Sequence, residues 1–275
     1  MVDQTITFLG AGSMAEAIIA GLTSKQIVAA NQVIATNQSN LDRLHTLENH
    51  YYIRTTQNKE EALRESDIVI LAMKPKDVTV ALDDVKGELR EDQIIISILA
   101  GISTTYIERQ LPKQNPVIRV MPNTSATIGQ SATTIAAGTS ASSGQLAVVE
   151  SLMQAIGTTT VINEADMDAY TAIAGSGPAF YYYMVEAIEQ FVEDKGLSIE
   201  QAKPLMIQTL QGVAEMLKTS EDSPKILREK ITSPGGTTEA GLNTLSSHDF
   251  QKIVKECMQQ AAERSAELRK MLEEQ

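Results

Sequence analysis

The stretch Phe8-Leu9-Gly10-Ala11-Gly12-Ser13-Met14-Ala15 limits what this chain can fold into more than any other segment. It follows a short apolar run, Ile6 to Leu9, and leads into Met14, Ala17, Ile18, Gly21 and Leu22, which recur at helical spacing. A strand, a glycine turn and a helix in that order make the G-x-G-x-x-A form of the dinucleotide fingerprint. The first glycine permits the tight turn and the second lets a pyrophosphate approach the backbone. The helix start aims N–H groups and the positive end of its dipole at the phosphates. A glycine turn with no ligand is the plainer alternative, and the placement between strand and helix favours the nucleotide.

The rhythm continues along the first part of the chain. Strands are expected at Ile6 to Leu9, Val33 to Thr36, Ile68 to Ala72, Ile94 to Ile98, Val117 to Met121 and Thr133 to Ala136, with a short one near Tyr52 to Arg54. Leu41, Leu44 and Leu47 mark a helix between the second and third of these. Strands alternating with helices predict a parallel sheet covered by helices. Past about Asn163 the strand signal stops and helix punctuation replaces it. Gly196 suits a helix C-cap, Ser198 with Gln201 forms a capping-box pattern, and Ser223-Pro224 supplies an N-cap with proline at the first helical position. Pro204 is expected to kink the helix between those caps or to shift its start. From Phe250 an apolar series keeps helical period for about six turns. The expected organisation is a Rossmann-type α/β domain over 1–162 and an all-helical domain over 163–275.

Composition excludes other classes. With 23 Lys plus Arg against 35 Asp plus Glu the formal charge is −12, which argues against a nucleic-acid partner. The longest apolar stretch, Ile94 to Ile102, is broken by Ser97 and Gly101 and is about half of what a bilayer requires, so no membrane span is expected. The single cysteine, Cys257, cannot form an internal disulfide and reads as a small buried hydrophobe. The run from Met1-Val2-Asp3-Gln4 into the first strand carries no leader pattern. A cytoplasmic location is expected, and no metal set.

NAD-binding folds usually place Asp or Glu about 20 residues beyond the glycines, where it holds the ribose 2′-hydroxyl. Here the second strand ends Thr36-Asn37-Gln38-Ser39, with no carboxylate to repel a 2′-phosphate, and Arg43 lies one turn into the next helix. NADP is therefore favoured over NAD, unless these residues only cap the helix.

Four further motifs follow in order: Ala72-Met73-Lys74-Pro75, Arg119-Val120-Met121-Pro122-Asn123-Thr124, Thr171 through Phe180 with its Gly175-Ser176-Gly177-Pro178 centre, and Ser233-Pro234-Gly235-Gly236-Thr237-Thr238. With the opening glycine loop, this set resembles the pyrroline-5-carboxylate reductase family, NAD(P)H-dependent enzymes of the last step of proline biosynthesis. The resemblance covers nearly the whole chain, and the S-P-G-G-T-T element is its most specific part. It implies that Gly10, Ala11, Gly12, Ser13 and Met14 cradle the cofactor pyrophosphate. Asn37 would face the adenosine ribose and Asn58 the adenine end. Ala72, Met73, Lys74, Pro75 and Ala100 would line the cofactor cleft, with Met121, Pro122 and Asn123 beside the nicotinamide. Ser233, Gly236, Thr237 and Thr238 would hold the substrate, with Thr238 as the catalytic position. It also implies a helical dimerisation domain, and homodimers of which some assemble into decamers. Ser125 stands where proline often follows the Asn-Thr pair, and Phe180 where tyrosine is usual.

The residues add a chemical argument of their own. Ketone reduction needs a positioned acid or base, commonly His or Lys. His45, His50 and His248 all fall in expected surface positions. The related β-hydroxyacid dehydrogenases carry a lysine four residues after the second glycine of a similar G-S-G segment, where this chain has Tyr181. Such a site suits a cyclic imine, which can bind already protonated at nitrogen and needs orientation and a dry pocket more than a strong base. Gly235 and Gly236 at a helix start are expected to expose N–H groups to a carboxylate, with threonine hydroxyls as partners for a ring N–H. Lys74 is divided evenly between a ligand contact and a solvated lysine. Arg119 reads as a bridge to a carboxylate, and Tyr181, Tyr182 and Tyr183 as helix packing. Two rival functions stay open: reduction of another cyclic imino acid, such as the six-membered homologue, and a regulatory nucleotide-binding relative without turnover.

Overall fold

A computed structural model describes residues 3–274. Met1, Val2 and Gln275, the outer limits of the two expected domains, lie outside the described residues. The chain divides into two compact units: one holds everything up to Ser176 together with the stretch from Gln259 onward, and the other is Gly177–Met258.

The first unit is built on an eight-stranded sheet of order β3-β2-β1-β4-β5-β6-β7-β8. The strands are β1 (Ile6–Leu9), β2 (Val33–Thr36), β3 (Arg54–Thr56), β4 (Ile68–Leu71), β5 (Ile94–Ser97), β6 (Val117–Met121), β7 (Ser131–Ala137) and β8 (Gly157–Val161). Pairing is parallel from β3 through β6, with Ile6 opposite both Val33 and Ile68. It turns antiparallel at β6–β7, and β8 lies parallel to β7. The reversal of strand order between β1 and β4 opens a crevice at their carboxyl ends, where such sheets bind ligands.

The four-residue strands β1, β2, β4 and β5 are buried along their whole length, because helices cover both faces. Their side chains alternate between two cores. Ile68 and Ile70 join Ile18 and Leu22 of α1 (Ser13–Ser24) and Leu44 and Leu47 of α2 (Leu41–Tyr51). Val69 and Leu71 join Leu63 of α3 (Lys59–Glu65), Leu82 of α4 (Val78–Val85) and Ile107 of α5 (Thr104–Gln110).

One strand has no counterpart in the sequence reading. β8 follows α6 (Ser143–Met153) and starts at Gly157, which adopts φ +152° and leaves no room for a Cβ against the Ser131 backbone. Glycine here reads as the end of a helix, which obscures the β-branched run Thr158 to Val161 behind it.

Beyond α7 (Met167–Tyr170) and a π-helical turn at Thr171–Gly175, the second unit holds α8 (Gly177–Asp194), α9 (Ile199–Thr219), α10 (Pro224–Lys230) and α11 (Thr237–Ser247). Gly196, at φ +64°, ends α8 in a Schellman closure: its N–H donates to the Glu193 carbonyl at 2.8 Å, and Leu197 N–H to Val192 at 3.0 Å. The expected Ser198 capping box does not form, since its hydroxyl accepts no cap bond and its carbonyl takes the N–H groups of Gln201 and Ala202 instead. α9 starts before Pro204, so the proline does not shift the helix start. In α9, α10 and α11 no residue is fully buried. Tyr181, Tyr182 and Tyr183, expected to pack helices, stand exposed in the single chain. In proteins most helical stability comes from packing of the apolar face, so these exposed faces call for a covering surface.

The last helix, α12 (Phe250–Glu273), carries Arg264, Glu267, Arg269, Lys270 and Glu273 near its end, charges that at helical spacing would ordinarily face solvent. Instead that end is tied into the first unit. Asp168 accepts from the Ser265 hydroxyl at 2.8 Å and from Arg269 at 3.2 Å, and Glu273 accepts the Ser103 N–H at 2.8 Å. Cys257 is half-buried with a free thiol. Among the described residues no helix is long and apolar enough to cross a membrane.

The most exacting contact of the first unit is an ion pair. Arg119 on β6 is 1% exposed and donates to Glu164 at 2.9 Å, while Glu164 also accepts the Thr104 N–H at 3.3 Å. This is the carboxylate bridge that the sequence suggested for Arg119. Removing one partner of a buried pair leaves the other charge uncompensated, at a cost of roughly 3–5 kcal/mol. Glu164→Gln is therefore expected to lower stability by at least about 2 kcal/mol, since the amide keeps one hydrogen bond. Urea denaturation checks this, and a loss below about 0.5 kcal/mol would show that the pair holds nothing together.

Candidate active site

Gly10 has φ +114°, and a Cβ built on it would lie 2.5 Å from the Ala72 carbonyl oxygen. Only glycine lets the loop after β1 lie against the end of β4. Its N–H donates to the Thr36 carbonyl at 3.1 Å, which adds the end of β2 to the same junction. Gly12 faces open space within 4 Å and forms the N-cap of α1 without any side-chain cap. Elsewhere Asn40, Asn58, Ser103, Ser142 and Ser223 close the starts of α2, α3, α5, α6 and α10 with their own side chains. The first-turn donors of α1 are thus left for an anion, beside a backbone with no Cβ in the way. This is the cradle that a dinucleotide pyrophosphate requires.

A cleft of about 790 Å³ lies over this junction. It brings together Gly10, Ala11, Gly12, Ser13, Asn37, Ala72, Met73 and Lys74 from the sequence-derived set. Asn37 closes an Asx turn: its Oδ1 accepts the Ser39 and Asn40 N–H groups at 3.1 and 3.0 Å, leaving its amide N–H groups as donors. Arg43 also lines the cleft, but its guanidinium is turned toward α1, donating to the Ala11 carbonyl at 2.8 Å and to Glu16 at 2.5 Å. Arg43 holds the Glu16 carboxyl below the usual carboxylate range. Glu16 and Lys59 line the cleft without having been singled out in the sequence. For Glu16, a carboxylate one turn into the fingerprint helix was the available signal.

The remaining expected residues lie outside that lining. Asn58 caps α3, accepting the Glu61 N–H and donating to the Glu61 carboxylate, both at 3.2 Å. Pro75 opens a 3-10 turn, Met14 packs on the α1-side core, and Ala100 follows β5 on an exposed turn. Met121, Pro122 and Asn123 are buried at the carboxyl end of β6. The Asn123 amide donates to the Ala174 carbonyl in the π-helical turn at 2.9 Å, and its Oδ1 accepts the Ser125 N–H at 3.0 Å. Proline at position 125 could not donate that bond, so Ser125 adds a tie to this loop. In strand order, Asn37, Gly10, Ala72, Ala100 and Pro122 follow β2, β1, β4, β5 and β6 along one edge of the sheet.

In the second unit the Ser233 to Thr238 loop leads into α11. Both glycine N–H groups, expected to be free, are engaged: Gly235 donates to the Glu239 carboxylate at 2.8 Å and Gly236 to the Ser233 carbonyl at 3.0 Å. Gly236 is the N-cap and no side chain caps the helix, so the donors left over are those of the first turn, which begins with Thr237 and Thr238. Both threonines are exposed.

The family is decided by comparison with known proteins. Residues 164–268 match the family model for pyrroline-5-carboxylate reductase dimerisation, and residues 5–101 match the one described as NADP oxidoreductase coenzyme F420-dependent. Pyrroline-5-carboxylate reductase 2 of Bacillus subtilis is 43% identical, across 97% of this chain and 95% of that protein. The chain belongs to the pyrroline-5-carboxylate reductase family. Solved structures agree. A pyrroline-5-carboxylate reductase from Coxiella burnetii superposes with a TM-score of 0.90 at 33% identity, covering 97% of this chain and 99% of that one. The Plasmodium falciparum pyrroline carboxylate reductase with NADP bound gives 0.87 at 29% identity, covering 98% and 99%.

Asn37 offers a clean test within this family framework. Asp at position 37 keeps an acceptor for the two Asx-turn N–H groups, so the turn survives, but it adds negative charge and removes the amide donors. Asn37→Asp is expected to weaken NADPH binding at least about tenfold while changing NADH binding much less. Titration by fluorescence with each nucleotide checks this; equal NADPH affinity would place the 2′-phosphate elsewhere.

Proposed function

We propose that this chain reduces 1-pyrroline-5-carboxylate to L-proline, with NADPH as hydride donor. The observation that carries the reading is the pair of uncapped glycine-led helix starts, α1 and α11, each at a motif that the resemblance implies for an anionic ligand. NADPH, when bound, supplies the hydride.

The chain's own part is binding and orientation. Gly12, Ser13 and Met14 present open backbone and first-turn donors for the pyrophosphate, Asn37 presents amide donors to the ribose, and Lys74 adds a positive charge on the same cleft. Met121 ends β6, Pro122 and Asn123 follow it and Ala100 follows β5, on the side of the edge away from Asn37, where the nicotinamide end would be held. At the adenine end Asn58 would act only by shaping α3, since its amide oxygen and nitrogen are both engaged with Glu61. In α11 the first-turn N–H groups would hold the substrate carboxylate, and the Thr238 hydroxyl would accept from the ring N–H. None of this requires a strong acid or base, and His45, His50 and His248 are all exposed.

The exposed apolar faces of α8 and α9 support a homodimer, or a multiple of dimers such as a decamer, as the working form, and the lone free thiol supports a cytoplasmic one. Light scattering at micromolar concentration is expected to give at least twice the chain mass of 29.8 kDa. A value near one chain mass would contradict the dimer.

Thr238 tests the chemistry. It is the second residue of α11, so it is not the cap, and losing it should not cost a cap's stability. Loss of one hydrogen bond to a charged or partly charged group costs roughly 1.5–3 kcal/mol, or a ten- to hundredfold fall in catalytic efficiency. Thr238→Ala is therefore expected to lower turnover of the five-membered imine by that factor with its melting temperature and NADPH affinity unchanged. Turnover within about twofold of the parent would mean that the substrate lies elsewhere.

A further inference from the structure

Arg43 is the residue from which the sequence and the structure lead to different functions. From the sequence it is a cation one turn into α2, available to a 2′-phosphate. In the structure its Nε donates to the carbonyl of Ala11, the middle residue of the glycine loop, at 2.8 Å. One terminal nitrogen lies 2.5 Å from Glu16, in the first turn of α1. Glu16 is held from its other side by the Tyr51 hydroxyl at 3.1 Å. Both charged side chains are about a quarter to a third exposed, 24% for Arg43 and 31% for Glu16, and both face the nucleotide cleft. Of the cleft's other charges, Lys59 pairs with Asp84 at 3.4 Å, and Lys74, Lys76 and Asp77 line it as well, none of them in an ion pair with Glu16.

A carboxylate in the first turn of a helix stabilises the helix when nothing is bound, because it meets the positive end of the dipole. When the same helix start has to hold a pyrophosphate, that carboxylate is a like charge beside the ligand. Glu16 is therefore tolerable in this cleft only while it is neutralised, and the guanidinium of Arg43 is the cation in contact with it. Arg43 also fixes the glycine loop through a backbone oxygen, which is independent of what the nucleotide carries at its 2′ position.

We propose that Arg43 is a positioning residue for the pyrophosphate loop, which it holds through Ala11 while cancelling the charge of Glu16, and that it does not select the 2′-phosphate. This rests on the nucleotide reading of the cleft. It separates two roles that one sequence region mixes: selection between NADPH and NADH falls to the Asn37 turn, and affinity common to both nucleotides depends on the Arg43–Glu16 pair.

The test is direct nucleotide binding, by calorimetry or fluorescence titration, with melting temperatures of the nucleotide-free proteins as the folding control. Arg43→Ala is expected to weaken NADPH and NADH by a similar factor, about tenfold, because it frees the Glu16 charge and the loop together. In the double variant Arg43→Ala with Glu16→Gln, much of that loss is expected to return for both nucleotides, because the liberated charge is gone. Arg43→Lys keeps a charge opposite Glu16 but lacks the forked geometry that serves Ala11 as well, and should fall between parent and Arg43→Ala. Should Arg43→Ala not fold, Arg43→Lys with and without Glu16→Gln gives the same comparison. A loss confined to NADPH would make Arg43 a 2′-phosphate contact and overturn the proposal. So would a double variant no better than Arg43→Ala. A parent protein that binds neither nucleotide would overturn the cofactor reading itself, and this inference with it, a result unlike either of the others.

Discussion

The approach of Gly10 to the Ala72 carbonyl is the contact on which the site depends. A side chain at position 10 would collide with that carbonyl and would have to adopt a positive φ, so the loop after β1 reaches the end of β4 only with glycine there. With the loop in place, Gly10 also reaches Thr36 at the end of β2, and three strand ends meet at the start of α1. Burial of the strands on both faces makes that edge rigid. The motifs at Asn37, Ala72, Ala100 and Pro122 inherit their order from the order of the strands, so their linear arrangement follows from topology before any side chain is considered.

The helices of this chain begin in different ways. At five helices asparagine or serine satisfies the first N–H groups, as at Asn40, Asn58, Ser103, Ser142 and Ser223, while α4 and α9 start behind Asp77 and Ser198 without a side-chain cap. At α1 and α11 glycine stands at the N-cap and no side chain takes the first-turn donors. A reductase of cyclic imino acids has two anionic groups to hold, a pyrophosphate and a carboxylate. In the proposed reading the two uncapped, glycine-led helix starts hold them, and among the described residues His45, His50 and His248 are all exposed. Catalysis by orientation in place of a positioned base is consistent with an imine that arrives protonated.

Much of this was legible in the sequence, for identifiable reasons. Strands such as Ile68–Leu71 are continuous apolar runs because both faces are covered, and such runs are hard to miss. β8 was not visible because Gly157 marks a crowded strand start and looks like a helix stop. Ser198 shows the limit of a local pattern: the residues of a capping box are present, yet the backbone carbonyl takes the bonds the side chain was expected to make. At the candidate sites, residue type suggests a ligand class, while the partners that these residues take within the chain were hidden. The N–H groups of Gly235 and Gly236 were expected to be free and are engaged by Glu239 and Ser233. Arg43 was seen as a cation near a phosphate, while its pairing with Glu16 depends on α1 and α2 lying side by side, which no single segment encodes.

The central claim is that this constellation of loops turns a cyclic imine into an amine at the expense of a nicotinamide. The most direct measurement follows NADPH consumption and L-proline formation together in a mixture of the protein, NADPH and 1-pyrroline-5-carboxylate. The account predicts one proline formed for each NADPH consumed, with slower consumption when the six-membered imine is supplied instead. NADPH that binds but is not consumed with either ring would contradict it.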